Sequence, residues 1–549
     1  MPLRRLDKVL LFARTARHLR PIQILARLWY RVVPMRVDLR RAPRQDARKP
    51  DWVGCEWREP ALRDDGTARF VGLDRRVSAA THWDAPDAPK LWRYNLHYHD
   101  DLVAVGARSR TEFLRAHVTR WIAENPAGVG TGWEPYPISL RVVNWIKWCW
   151  AAGGELDGSS RDSLAAQVRA LRARIEWHLL GNHVWANAKA LIFAGTFFEG
   201  PEADQWCRAG ARLFAQQLAE QILPDGGHYE RSPMYHAIMT EDLLDVVELV
   251  SCFPDRFDPA LRVRLVDAAT RMLWWLRVMT HPDGRPGFFN DAAFGIAPGV
   301  VPLEAYARRI GVTVEDRPYA PVETLDASGY TRLTIGRAVV LCDVAALGPD
   351  YQPGHAHADT LSFECSLDGV RVVVNGGTST YEVGAQRARE RGTAAHSTVE
   401  IDATDSSEVW GAFRVARRAR AWCVESGTDG KSAWLEGAHD GYRRLPGGVT
   451  HVRRWELGPQ GLLVDDRLEG TVRVARACFH VNPDVSVVER DDGTLDLTLP
   501  SGETVAVRTE GGKVAVLPGR WSPCFGETVP SVRIETPFAG SALATRFAW

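Results

Sequence analysis

The hydrophobic pattern of this 549-residue chain changes its period once, near Pro318–Pro321, and that change limits the folds open to it. Before it, apolar residues recur at helical spacing in segments near 110–123, 137–152, 161–180, 183–198, 203–222, 237–252 and 259–280. Turn-forming stretches such as Pro224-Asp225-Gly226-Gly227 and His281-Pro282-Asp283-Gly284 separate them. After it come short alternating runs: Tyr330 to Ile335, Ala338 to Cys342, Val370 to Val374, Thr398 to Ile401, Leu462 to Asp465 and Leu495 to Leu499. A chain of this length exceeds what one hydrophobic core supports. The expected fold class is therefore α+β and multidomain, an (α/α) toroid followed by an antiparallel β-sandwich. The expected boundaries are a basic N-terminal segment packed on the toroid (1–105), the toroid (106–318) and the sandwich (325–549).

Lys and Arg number 68 and Asp and Glu 68, so no molecule-wide field gathers polyanions, and nucleic acid is not an expected partner. Charge is uneven locally. Residues 1–50 carry fourteen Lys/Arg against Asp7, Asp38 and Asp46. Such a segment suits a solvated basic helix packed on its own domain. It equally suits a peripheral contact with an anionic membrane surface or assembly machinery. The nine cysteines are scattered and form no CxxC, which fits a reducing, cytoplasmic setting, as does the absence of a signal-peptide pattern. Twenty-one Trp suit either sugar stacking or core filling.

Polar groups able to carry chemistry cluster on both sides of the pattern change, and ligand sites favour such domain interfaces. Asn182, His183 and Asn187 lie around one turn at a helix start, where Asn182 could also serve as an N-cap. Tyr229, Glu230, Arg231, Tyr235 and His236 follow a Gly-rich turn. Arg141 and Asn144 share a helix face among aromatics, as sugar-binding surface or as a buried clamp. In the β half, His355-Ala356-His357 precedes a strand, Asn375 follows the next, and Arg387, Arg391 and His396 precede another. His357 with His396 could be metal ligands or ordinary hydrogen-bonded imidazoles.

The order of Asn182-His183, Arg231-Ser232-Pro233-Met234-Tyr235-His236, His355-Ala356-His357-Ala358-Asp359 and Ala395-His396-Ser397-Thr398-Val399 resembles the heparinase II/III-like polysaccharide lyases over nearly the whole chain. With Trp92-Arg93-Tyr94-Asn95-Leu96-His97-Tyr98 it is especially similar to the branch associated with exopolysaccharide and capsule assembly. The resemblance implies a toroid followed by a sandwich, agreeing with the pattern above, and a lyase acting on an acidic polysaccharide or oligosaccharide. It implies that Asn182, with His183, neutralises a substrate carboxylate and that Tyr235 and His355 transfer protons. Arg141, Asn187, Tyr229, Arg231, His236, Arg387 and Arg391 are the expected substrate contacts. It also implies a structural zinc on His357 and His396. Asn375 stands where relatives carry Asp, so a weak or part-filled site is expected, and no organic cofactor.

That chemistry has a physical logic. β-Elimination removes the C5 proton of a uronate and expels the oxygen on C4. The C–H bond is a feeble acid until the adjacent carboxylate is neutralised, and a donor at the developing oxyanion is worth about 3–4 kcal/mol. Two other classes stay open. A glycoside hydrolase needs two carboxylates roughly 5–10 Å apart, for which Glu230, Glu241, Asp242 and Asp291 are available. A non-catalytic glycan-binding protein of polymer assembly needs none of the set.

Overall fold

The computed structural model describes residues 5–549. Two helices lead the chain, α1 (Arg5–Ala16) and α2 (Pro21–Val32), and a third, α3, spans Lys90–Tyr98. The helical domain proper contains α4 (Thr111–Glu124), α5 (Pro135–Ala151), α6 (Gly158–Ala173), α7 (Gly181–Phe197) and α8 (Pro201–Gln221). It closes with α9 (Pro233–Cys252), α10 (Pro259–Val278) and α11 (Val300–Arg309). The expected helices are present; α3, which holds the Trp92–Tyr98 motif, and α11 add to them. This is the toroid anticipated from the sequence.

Its core explains the tryptophans. Nine are essentially fully buried, eight of them in the helical half, including Trp121, Trp145, Trp148 and Trp185, so much of the Trp content fills the interior. α7 is apolar almost all round and nearly every residue of it is buried, as a central helix requires. It packs on α5 and α8. Contact with α8 is close: a Cβ on Gly195 would lie 2.4 Å from the Cys207 backbone nitrogen.

The β domain is two antiparallel sheets. One runs in order from Ala421–Thr428 through Ala433–His439, Thr450–Gly458, Gly461–Glu469, Ala542–Ala548, Thr504–Glu510 and Leu495–Thr498 to Ser486–Glu489. Its strands alternate buried and accessible residues, with one face on the other sheet. The second sheet includes Tyr330–Ile335, Ala338–Asp343, Phe363–Leu367, Val370–Val374 and Ala475–Val481. Ala338–Asp343 and Phe363–Leu367 are buried at every residue. One face, with Val340 and Phe363, meets the first sheet, while Val339, Leu341 and Tyr330 pack on Trp274, Trp275 and Val278 of α10. Covering on both faces is why these strands read as unbroken apolar runs. Arg332 donates to the Val278 and Thr280 carbonyls across the same junction (3.1 and 2.8 Å), fixing the two domains together.

Residues 1–105 were expected on the toroid; the described part touches both domains. Gln23 on α2 donates to the carbonyls of Leu179 and Tyr351, whereas Arg14 on α1 pairs with Glu408 of the β domain at 3.2 Å. All nine cysteines are free. Among the described residues no helix is long and apolar enough to cross a membrane.

Arg453 is fully buried in the first sheet, bonds both oxygens of Asp466 and donates to the carbonyls of Leu361 and Ser397. Burial opposes ionisation of Asp466, yet the Arg453 guanidinium outweighs it and holds the carboxyl at about 2. Arg453→Leu should lower unfolding stability by about 3–5 kcal/mol, the usual cost of stranding one member of a buried pair. Urea denaturation checks this; an unchanged midpoint would show the pair to be dispensable.

Candidate active site

The motif from Arg231 to His236 is a helix start. Ser232 is the N-cap of α9, its Oγ accepting the Tyr235 N–H at 3.2 Å, and Pro233 follows at the first helical position. That geometry sets Tyr235 in the first turn. The Tyr235 ring stacks on the His355 ring with centroids 3.8 Å apart, and its hydroxyl lies 3.0 Å from that of Tyr381. Burial first, then the neighbouring Tyr381 and Asp291, push the Tyr235 phenol well above its ordinary value, so it is neutral and a proton donor.

His355 comes from the loop before Phe363–Leu367 and is oriented from behind. Its Nδ1 is 2.9 Å from Asp291 Oδ2, and the Asp291 N–H donates to the His355 carbonyl at 2.9 Å. Asp291 is shared widely. Arg387 grips both its oxygens, His357 Nε2 donates to Oδ1 at 2.8 Å, and Thr378 adds a contact at 3.3 Å. Burial alone would raise Asp291; Arg387, followed by the two imidazoles, keeps it ionised, well below the usual carboxylate range. In the neutral ring a carboxylate on Nδ1 holds the proton there and leaves the lone pair on Nε2, which lies 3.6 Å from Glu230 Oε2.

Glu230 joins this group to the toroid. It accepts the Asn182 N–H at 3.3 Å, and its carboxyl is raised by burial against the opposing pull of His355. Asn182 is not the N-cap of α7; Leu180 is, at φ 67°, followed by Gly181 at φ 59°. Glycine is needed at 181 twice over, since a Cβ there would also meet Glu230 Oε1 at 2.6 Å. The Asn182 amide is therefore not used in capping, and its buried oxygen has no protein partner. His183 sits 3.0 Å from Glu176; burial disfavours its charge, but that carboxylate prevails and raises it. Its ring faces Tyr136, centroids 4.5 Å apart.

The other expected substrate contacts are placed elsewhere. Arg141 is fully buried in the helical domain, bonded to Gln167 and to the carbonyls of His97 and Gly132. Asn187 holds Glu176 and Ser139; His236 is buried between the Met272 carbonyl and Trp275. Tyr229 packs on Tyr351, and Arg231, at φ 58°, donates to the Ala346 carbonyl. Arg391 is buried with its guanidinium on the Ala356 carbonyl, bracing the His355 loop. Arg387 serves Asp291. The guanidiniums of Arg141, Arg387 and Arg391 are buried and already bonded within the protein, which makes them positioning groups, whereas Arg231 is half-buried with its Nε unpartnered.

Two family models match this chain, Heparinase II/III N-terminus over residues 165–297 and Heparinase II/III-like, C-terminal, over residues 317–549, together about two thirds of it. The chain belongs to the heparinase II/III-like family. It is 25% identical over 495 residues to FtsZ-localized protein C of Caulobacter vibrioides, covering 83% of this chain and 80% of that one. It is 26% identical over 113 residues to a heparin-sulfate lyase of Bacteroides stercoris, a match spanning 20% of this chain and 17% of that protein. Among solved structures, a heparinase III superposes with a TM-score of 0.68 at 16% identity, over 99% of this chain and 91% of the other. Heparan sulfate lyase HepC of Pedobacter heparinus gives 0.57 at 16%, over 88% and 81%. These likenesses establish the toroid-plus-sandwich fold.

In this family member the metal expectation meets a specific donor set. His357 Nδ1 lies 3.2 Å from His396 Nε2, so the two imidazoles do converge. They do so from loops, not from neighbouring strands. Both are held neutral, at about 4 and about 3, burial being the main cause. The Asn375 amide oxygen already accepts the Ser397 N–H at 3.0 Å, and Asp359 accepts the Asn290 N–H at 2.8 Å. Among the described residues no three His, Cys, Asp or Glu side chains group to hold an ion. Two neutral imidazoles and an occupied amide do not fit a closed, charge-compensated zinc site.

Glu230, Asp291, Tyr381 and Glu176 are the functional neighbours that sequence reasoning undervalued. Glu230 stood in the Tyr229–His236 cluster, and Asp291 left a signal of its own as a lone carboxylate within Phe288-Phe289-Asn290-Asp291-Ala292-Ala293-Phe294.

Two outcomes are expected. Purified protein should carry well under one zinc per chain, and Asn375→Asp should raise both metal content and thermal stability. Elemental analysis decides; full, chelator-resistant zinc in the parent would show Asn375 to be an adequate ligand. Asp291, with its depressed folded pKa, stabilises the fold above the ordinary carboxyl value of about 3.9 and loses that contribution as pH falls below it. Arg387→Leu should therefore shrink the stability lost on acidification between about pH 5 and pH 2, read from melting temperature against pH.

Proposed function

We propose that this protein is a polysaccharide lyase that cleaves a uronic-acid-containing glycan by β-elimination. The observation that carries the reading is the Tyr235 ring stacked on His355, with the ionised Asp291 carboxylate, charge-compensated by Arg387, behind the imidazole. His355 Nε2 takes the C5 proton, the C–H electron pair becomes the C4–C5 double bond, and the C4–oxygen bond breaks. The departing oxygen takes its proton from the Tyr235 hydroxyl, which Tyr381 can replenish. Asn182 and the His183 side chain, whose pKa Glu176 raises against the opposing effect of burial, are the groups offered to the substrate carboxylate. The substrate is accordingly an acidic polysaccharide or oligosaccharide.

The hydrolase reading loses support from the same contacts. Asp291 is bound by Arg387 and both imidazoles, Asp242 is paired with Lys189 at 2.6 Å, and Glu241 accepts from Trp57. A second reading, a glycan-binding protein without turnover, is favoured by one fact: the relative matched over most of this chain is named for its localisation and not for a reaction.

Incubation with a panel of uronate glycans separates the three. A lyase yields an ultraviolet-absorbing unsaturated uronate, a hydrolase yields reducing ends without that absorbance, and a binding protein yields neither. Tyr235→Phe and His355→Ala should each lower turnover roughly 10²–10⁴-fold in folded protein. Asn182→Ala should cost roughly 10²–10³-fold. Asn182→Asp should be worse, because it sets an anion against the substrate carboxylate. An Asp variant milder than Ala would remove Asn182 from that role.

A further inference from the structure

The surface gathers apolar side chains in one unusual place. Of the large hydrophobic residues exposed among the described residues, nearly half lie between Val9 and Leu39. Of α2 only Gln23 and Ala26 are buried, while Leu25 is 62% exposed, Trp29 58% and Val32 78%. Ile22, Ile24 and Leu28 complete the outer face. On α1, Val9 and Phe12 are similarly open at 61% and 59%. This is the reverse of a surface helix, which hides its apolar face.

The helices are nonetheless fixed. Gln23 reaches the Tyr351 carbonyl at 3.1 Å, Tyr30 donates its hydroxyl to the Ile175 carbonyl, and Thr15 on α1 donates to the Val415 carbonyl at 3.3 Å. Polar contacts thus hold the inner side to both domains and leave the apolar side outward.

Charge says what covers it. α2 contains no acidic residue, and Arg17, Arg20, Arg27, Arg31 and Arg36 are all exposed in or beside it. The molecule as a whole is neutral, whereas residues 1–50 carry fourteen Lys and Arg against three Asp, so positive charge is concentrated in this part of the chain. An exposed apolar ridge with Trp29, rimmed by arginines, is the arrangement that inserts into the headgroup boundary of an anionic bilayer. We propose that α1 and α2 form a docking element for an anionic lipid surface, on which the protein sits peripherally. α2 rests on the carbonyls of Leu179 and Tyr351, the first of which lies three residues before Asn182. Docking would therefore hold the candidate site close to the bilayer. The inference does not depend on catalysis.

Flotation of the full chain with vesicles of phosphatidylcholine, with and without phosphatidylglycerol, tests it. Binding is expected only with phosphatidylglycerol, and should weaken as salt rises. Leu25→Glu/Trp29→Glu and Arg31→Glu/Arg36→Glu should each reduce partitioning roughly tenfold or more at an unchanged melting temperature, since these side chains are exposed. No flotation with either vesicle, equal flotation with both, or binding that neither variant weakens would overturn it. So would a lipid-free dimer of the parent that Leu25→Glu/Trp29→Glu dissociates, because the face would then join two copies of this chain.

Discussion

The carboxylate of Asp291 is the interaction on which the candidate site depends. It sits in the segment between α10 and α11, yet its partners His355, His357, Thr378 and Arg387 all belong to the β domain. A buried anion is costly unless charge and hydrogen bonds surround it, and here Arg387 supplies the charge. That compensation lets the same carboxylate orient His355 without itself taking up a proton. The His355 ring in turn stacks on Tyr235, which the Ser232 cap has already aimed. Toroid and sandwich therefore meet at a point where each supplies what the other lacks.

The fold was legible because its signals are local and repeated. Helical periodicity marked the toroid, and the switch to alternation marked the sandwich. Strands buried on both faces, such as Ala338–Asp343, still read as strands through their β-branched content and flanking turns. Short elements escaped because few residues carry their period; α3 was seen as a motif but not as a helix.

The site was half legible. Tyr235 and His355 meet across more than a hundred residues, with Glu230 linking the Asn182 backbone to His355, and only motif order hinted at that. The arginines misled, because a guanidinium that clamps substrate and one that braces a loop have the same letter. Arg387 and Arg391 take their roles from the Asp291 carboxylate and the Ala356 carbonyl, neither of which is visible as a partner along the chain. Glu230 stood in its motif as one polar residue among several, and its meeting with both the Asn182 backbone and His355 is visible only in the fold. Asn375 was singled out along the chain by the resemblance alone. Its consequence, an amide oxygen already given to Ser397, needed coordinates.

The most direct test of this arrangement is the tautomer of His355. Histidine-selective ¹⁵N NMR on the folded protein, with the resonance assigned by its loss in His355→Ala, distinguishes the two ring nitrogens. With Asp291 ionised beside it, the neutral form of the His355 ring should carry its proton on Nδ1, and Asp291→Asn should disturb that preference. A neutral ring protonated on Nε2 in the parent, or a preference unaffected by Asp291→Asn, would contradict the role given to the shared carboxylate.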